Sequence, residues 1–464
     1  MSAETRELDG TRELSDVGLK RLADPNWAWA AYQPDAERPW DLRAVGHLFR
    51  RAAFGADWSQ LQEALADGPQ RSVDKLLAPD ADVAEFNRDE DAFEDSASAD
   101  SLRAWWLRRM IITPHPLLEK MTLFWHDHFA TSNAKVKNAA LMKKHVQMLR
   151  SHALDSFELL LQDVSRDPAM LVWLDANTNR KSQPNDKLAR NLMEHFSMGL
   201  GNYTEKDVRE AARAFTGWAV LKNRLRYFDR EHDSGSKEVL GREGNFDGRD
   251  VVRIVLEQAA TSRLIVKKLY RWLISETDSP SDELINPLAV SFSEHYSTGK
   301  LVETMLQSNL FFSRVAYRQR IKSPVDFALG IAKGFEEVVP TSKLASDLAE
   351  LGQNLYNPPT IKGWKGGRRW INTVTVIGRK RLAAALILDT EDYGKKIDPV
   401  AVAKEHGHSR PEDAGKFVVD LLLQGDAEPK ITDAFLEAGA GGDDSQRLRE
   451  IAYAVAISPE FQLA

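Results

Sequence analysis

The stretch Pro116–Phe129, PLLEKMTLFWHDHF, decides the fold. Leu117, Met121, Phe124 and His128 recur at three- and four-residue steps, which places them on one stripe of an α-helix. Pro114 and Pro116 stand where a helix start tolerates proline. The same period continues C-terminally. KKHVQMLRSHALDSFELLLQDV (143–164) reads as one or two helices, and Asp167-Pro168 starts another short one. Pro184-Asn185 opens a helix over Asp186–Met198, stopped by Gly199 and Gly201. Thr204 begins the next helix with Asp207 at the third position of a capping box, and Val208, Ala211, Ala212 and Phe215 form its apolar stripe. Trp218–Leu221 and Leu225–Phe228 read as a short hairpin, after which helices resume at Gly248 and continue past a Pro/Gly-rich break at 357–367.

The expected fold is therefore mainly α: a large multi-helix, bundle-like body with a small β-hairpin after Trp218. Residues 1–39 read as an N-terminal arm whose Trp27, Trp29 and Tyr32 dock onto the body, and 40–464 as one helical domain with room for a subdomain break near 222–248. The acidic, apolar-poor Ala78–Ser101 reads as a solvated loop.

Composition narrows the chemistry. The chain has 464 residues, 62 Lys and Arg against 69 Asp and Glu, a net charge of −7, and no cysteine. Disulfides, thiolate nucleophiles and cysteine metal sites are excluded. The acidic balance argues against nucleic acid as a partner, and no apolar run reaches the ~18 residues of a membrane span. The N-terminus shows no signal peptide, so the expected location is the cytoplasm, or export with a signal-bearing partner.

Several constellations carry chemistry. His126 and His128 point about 200° apart on an ideal helix, which argues against a two-histidine clamp. His128 faces the core, as a hydrogen-bonded core histidine or an acid–base group. Asp175, Asn177, Asn179 and Asp186 fit positions 1, 3, 5 and 12 of a calcium loop. Arg180, where that loop wants glycine, and the neighbouring Lys181 make them weak candidates. No cofactor is expected, and a divalent cation is disfavoured. Arg190 and Glu194 stand four apart on one helix face, as a surface ion pair or as the wall of a cleft. His232 and Asp233, with Ser234 beside them, combine groups able to do acid–base or nucleophilic work in a loop. Finally, 361–381 carries seven cations and no acid. Within it, Lys365, Arg368 and Arg369 beside Trp364 and Trp370 suit an anionic small molecule or glycan, since arginine forks grip oxyanions and tryptophan stacks on rings. The plain alternative is that both tryptophans pin the loop to the core.

Seven segments in order resemble the bacterial Domain of Unknown Function 1800 family: GHLFRRAAFG (46–55), EKMTLFWHDHFATS (119–132), RDPAMLVWLDANTN (166–179), YTEKDVREAARAFTGW (203–218), HDSGSKEVLG (232–241), NPPTIKGWKGGRRWIN (357–372) and SPEFQL (458–463). The resemblance implies a largely helical protein without an established activity. It also implies a companion of the sulfatase- or phosphatase-like Domain of Unknown Function 1501 family. Arg190 and Glu194 match the family's motif helix, whereas Asp186, Lys187 and Asn191 depart from it. Lys187 and Asn191 together remove two negative charges there, which works against a cation site. The resulting expectation is a binding or assembly component that recognises an anionic ligand. The alternative is a hydrolase whose cleft is built from His128, Arg190, Glu194, His232 and Asp233. A third reading is a scaffold whose motifs encode packing alone.

Overall fold

A computed structural model describes residues 22–79, 81–92, 98–388, 391–394, 397–439 and 441–464. Helices dominate it, and two two-stranded antiparallel sheets are the only sheets among the described residues. No helix among those residues is long and apolar enough to cross a membrane.

The Pro116–His128 helix is the axis of the molecule. Its apolar stripe faces a core that gathers Leu117, Met121, Phe124 and Trp125 with residues from the N-terminal two thirds of the chain. Leu123, on another side, enters a second core built largely from the C-terminal part. Only Leu118 and Asp127 of this helix keep partial exposure. The stripe therefore understates its burial. A helix enclosed on all sides must neutralise its polar groups internally. Glu119, fully buried, does so by accepting from Arg109 Nε at 2.6 Å, Arg150 Nε at 2.7 Å and Trp106 Nε1 at 2.8 Å. Burial alone would raise this carboxyl, but Arg150 and Arg109 outweigh it and hold it at about 2. One carboxylate thus ties together the helices Ala99–Ile112, Pro116–His128 and Ala139–Ser151.

The helix expected over 186–198 is an α-turn at Lys187–Asn191 followed by a π-helical segment at Leu192–Ser197. The wider turn shifts the angular phase, so Glu194 leaves the face of Arg190. Thr204 and Asp207 form the full capping box. The hairpin expected after Trp218 forms from β1 (Trp218–Leu221) and β2 (Arg224–Tyr227). Lys222 and Asn223 turn it with φ of 52° and 60°, the left-handed pair that two-residue hairpins need. A second hairpin, β3 (Lys237–Val239) and β4 (Arg242–Gly244), was not expected. Its three-residue strands are too short and too charged to show an alternating pattern.

The acidic stretch differs in part; its residues 80 and 93–97 lie outside the described residues. Val83–Ala92 is a helix, with the Arg109 guanidinium 5.0 Å from the Phe86 ring centroid, and the Glu90 carbonyl accepting from Trp105 Nε1 at 2.9 Å. A few aromatic and arginine contacts offset the cost of ordering a segment that composition reads as loop. Of the arm, 1–21 lie outside the described residues; Trp29 Nε1 donates to the Leu284 carbonyl at 2.8 Å, and Tyr32 stacks on Phe312 at 4.4 Å.

Candidate anion-binding pocket

Where the two cores meet, a pocket of about 430 Å³ opens. The Pro116–His128 helix supplies Asp127 and His128, and the Ala259–Leu273 helix supplies Lys268, Arg271 and Trp272. Glu276 and Arg320 flank them, and the loop over 361–370 closes the remaining side with Lys362, Trp364, Lys365, Arg369 and Trp370. The spacing of Lys268, Arg271 and Trp272 is i, i+3, i+4, a stripe of the helix that flanks the core residues Ile265, Leu269 and Leu273.

The loop is fixed by backbone geometry. Asp127 Oδ1 accepts the Trp364 backbone N–H at 2.6 Å. Gly363 lies directly over that carboxylate with φ +71°, and a Cβ there would meet Asp127 Oδ1 at 2.0 Å. Only glycine allows this approach. Gly367, φ +63°, also takes the left-handed region, and a Cβ there would make only a tight contact, 3.3 Å, with Glu276 Oε2.

Lys268 and His128 are oriented by the π-helical motif segment. Helix C-termini leave carbonyls without intrahelical partners and favour positive charge. Here the Phe196 carbonyl is 3.0 Å from His128 Nε2, and the His195 carbonyl accepts from Lys268 Nζ at 3.1 Å. Lys268 also donates to His128 Nδ1 at 2.8 Å, which makes that imidazole neutral, with its proton on Nε2. Burial and the Lys268 charge accordingly push His128 well below the ordinary imidazole range. Burial also lowers the Lys268 ammonium to about 8, with Asp127 opposing. Burial raises the Asp127 carboxyl to about 6, against the Trp364 N–H and the charges of Lys268, Arg320 and Arg271.

Charge is the pocket's distinguishing property. Arg320, 5% exposed, lies 3.9 Å from the Trp272 ring centroid and reaches Glu276 at 3.5 Å. Arg271, Lys362, Lys365 and Arg369 are exposed and, among the described residues, their side chains join no hydrogen bond or ion pair. Against these cations stand two carboxylates, Asp127 and Glu276, one engaged by the loop backbone and the other by Arg320. The lining thus carries more cations than carboxylates.

The residues singled out in the sequence separate into groups. His128, Trp364, Lys365, Arg369 and Trp370 line this pocket; Arg368, in the same loop, does not. Trp364 and Trp370 are each 8% exposed and belong to the second core, so little ring surface remains for a ligand to stack on. Arg190 is turned elsewhere, to Glu205 and Asp186, each at 2.7 Å. Glu194 meets the Tyr203 hydroxyl at 3.2 Å and His195 at 3.3 Å. His232 Nδ1 bonds the Thr216 carbonyl at 3.0 Å, and Asp233 pairs with Arg213 at 2.7 Å. None of Arg190, Glu194, His232 and Asp233 lines the pocket.

The calcium-loop residues are likewise engaged in structure. Asp175 takes Lys135 and Lys187, and Asn177 Oδ1 accepts from the Val220 N–H at 2.6 Å, pinning the edge of β1. Asn179 donates to the Ala212 carbonyl, and Asp186 accepts from Arg190. Among the described residues no group of three or more His, Asp or Glu side chains is arranged to hold a metal ion.

Lys268, Arg271, Arg320, Asp127 and Glu276 were missed. For Lys268 and Arg271 a signal existed: two cations and a tryptophan on one face of an amphipathic helix. Asp127 stands between His126 and His128, and nothing local in the sequence marks its contact with the Trp364 backbone. Arg320 and Glu276 sit in connecting segments whose placement depends on the tertiary fold alone.

A family model described as "Protein of unknown function (DUF1800)" matches residues 47–463. No curated protein and no solved structure matches the chain.

Proposed function

This chain belongs to the DUF1800 family, and we propose that its pocket binds an anionic small molecule or glycan through one or more oxyanion groups. The observation that carries this reading is the set of four uncommitted cations, Arg271, Lys362, Lys365 and Arg369, placed around a floor where Lys268 and Arg320 are already oriented. Charge-assisted bonds from such groups are worth about 1.5–3 kcal/mol each when made. The buried tryptophans serve as rigid, water-excluding walls, which strengthens those bonds by lowering the local dielectric. Phosphate and sulfate esters match the donors best, because arginine forks and ammonium groups together satisfy three acceptor oxygens.

Hydrolysis by a cleft of His128, Arg190, Glu194, His232 and Asp233 has a weaker basis, since only His128 of the five lines the pocket. A binding role within an assembly needs no such convergence. The companion of the Domain of Unknown Function 1501 family remains part of this proposal, and co-purification of the two proteins is its test.

Quenching of tryptophan fluorescence by a sulfated disaccharide, compared with its unsulfated counterpart, tests the ligand class. The expected outcome is saturable quenching by the sulfated sugar alone, weakening with salt as screening grows. Arg369→Ala should weaken it about tenfold, the equivalent of ~1.4 kcal/mol. Equal response to both sugars would remove the proposal.

A further inference from the structure

A second cavity, which shares no lining residue with the pocket, lies among Arg50, Phe54, Lys322, Asp326, Gln424 and Phe461. Its volume is about 20 Å³. A single water-sized guest needs roughly 10–15 Å³ on this measure, so one small particle fits. The walls are unusual in their charge. Lys322 is 4% exposed, and its Nζ stands 3.4 Å from the centroid of the Phe461 ring. Among the described residues this ammonium has no ion pair and no side-chain hydrogen bond. Arg50, 5% exposed, gives one nitrogen to Gln424 Oε1, while its Nε and Nη2 lack hydrogen-bond partners.

The nearby carboxylates are already in demand. Asp326 accepts from Lys120 on one oxygen and from the Ser323 hydroxyl, at 2.9 Å, on the other. Asp426, 3.5 Å from Arg50, is shared with Arg318 at 2.5 Å, Arg43 at 2.9 Å and the Tyr317 hydroxyl. Arg379, also close, donates to the Lys322 carbonyl at 2.6 Å. Buried cations therefore outnumber the acids able to balance them, and burial together with Arg50 and Arg318 pushes the Lys322 ammonium well below its ordinary range, a cost that a bound counter-charge relieves. The cavity offers a space beside Lys322 and Arg50 where such a counter-charge fits. Polyatomic anions such as sulfate are too large for it.

We propose that this cavity holds a monatomic anion, chloride in ordinary solution, clamped between the Lys322 ammonium and the Arg50 guanidinium. The ion neutralises the junction where the Leu42–Ala52 helix, the Pro324–Gly334 helix and the C-terminal Phe461 segment meet. This site is independent of the anion-binding pocket, which takes larger ligands.

Crystals of the full chain with chloride replaced by bromide provide the test, because bromide scatters anomalously and water does not. The expected result is an anomalous peak between Lys322 Nζ and Arg50, absent in crystals of Lys322→Met, which keeps the side-chain stem against Phe461. A wild-type cavity without an anomalous peak at full bromide exchange overturns the proposal, and this arm does not depend on the variant folding. An equally strong peak in Lys322→Met would also overturn it, since the ammonium would then not be the ligand.

Discussion

Asp127 serves the pocket twice, as the acceptor that fixes the Trp364 backbone and as a negative charge within a cationic wall. Its carboxyl is raised to about 6 and the neighbouring Lys268 ammonium is lowered to about 8. The sign of the pH dependence follows. Below pH 6 Asp127 is neutral and the pocket gains one net positive charge; above pH 8 Lys268 is neutral and the pocket loses one. Affinity for an anion should therefore fall as pH rises, with inflections near 6 and 8 in a calorimetric titration series. Asp127→Asn keeps an oxygen for the Trp364 N–H, so it should erase the lower inflection and tighten binding at neutral pH. Affinity that rises with pH would contradict this. Gly363 is the matching backbone constraint. Gly363→Ala places a methyl group on Asp127 and strains a left-handed residue, costing about 1–3 kcal/mol in urea unfolding and loosening the loop. An alanine variant with unchanged stability and unchanged anion affinity would count against the described loop geometry.

Among the elements, the Pro116–His128 helix shows how far sequence reading reaches. Its period revealed the helix and the core-facing side of His128, because side-chain periodicity is a local property. It did not reveal that the opposite side is buried too. His126, fully buried, accepts the Tyr356 N–H at 3.1 Å, and Glu119 meets two arginines from distant helices. Those partners are 10 and 31 residues away for Arg109 and Arg150, and no local pattern links them. Removing the Glu119 charge leaves two buried guanidinium groups uncompensated. Glu119→Gln should cost about 3–5 kcal/mol in urea unfolding. The pH dependence has a definite sign: Glu119 titrates lower in the folded state, near 2, than its ordinary 4.5. Its contribution is full above pH 4.5 and is lost as pH falls through 2, so the variant should show a flatter stability profile across that window. A variant as stable as wild type would contradict the buried knot. The motif helix teaches a related lesson. The 186–198 period predicts a continuous α-helix, and nothing in it announces the π-turn that releases Glu194 from Arg190 and presents two carbonyls to His128 and Lys268.

For the whole molecule, a net charge of −7 conceals strong local contrast. The basic loop was legible because its cations are contiguous in sequence. Its counterparts Lys268, Arg271 and Arg320 were not, because the two cores must pack against one helix before they converge. The same holds for the hydrolase set, whose members are close in motif order yet engaged with separate partners. The proposed oxyanion site depends on the convergence of these cations on one pocket. Crystals grown with sodium tungstate, a heavy tetrahedral oxyanion like sulfate and phosphate, test it most directly. The expected result is a tungsten anomalous peak inside the pocket, within hydrogen-bonding reach of Arg369 and Lys268 and absent from the Lys365→Ala/Arg369→Ala double variant. Tungsten peaks confined to the outer surface, with the pocket holding only water, would contradict it.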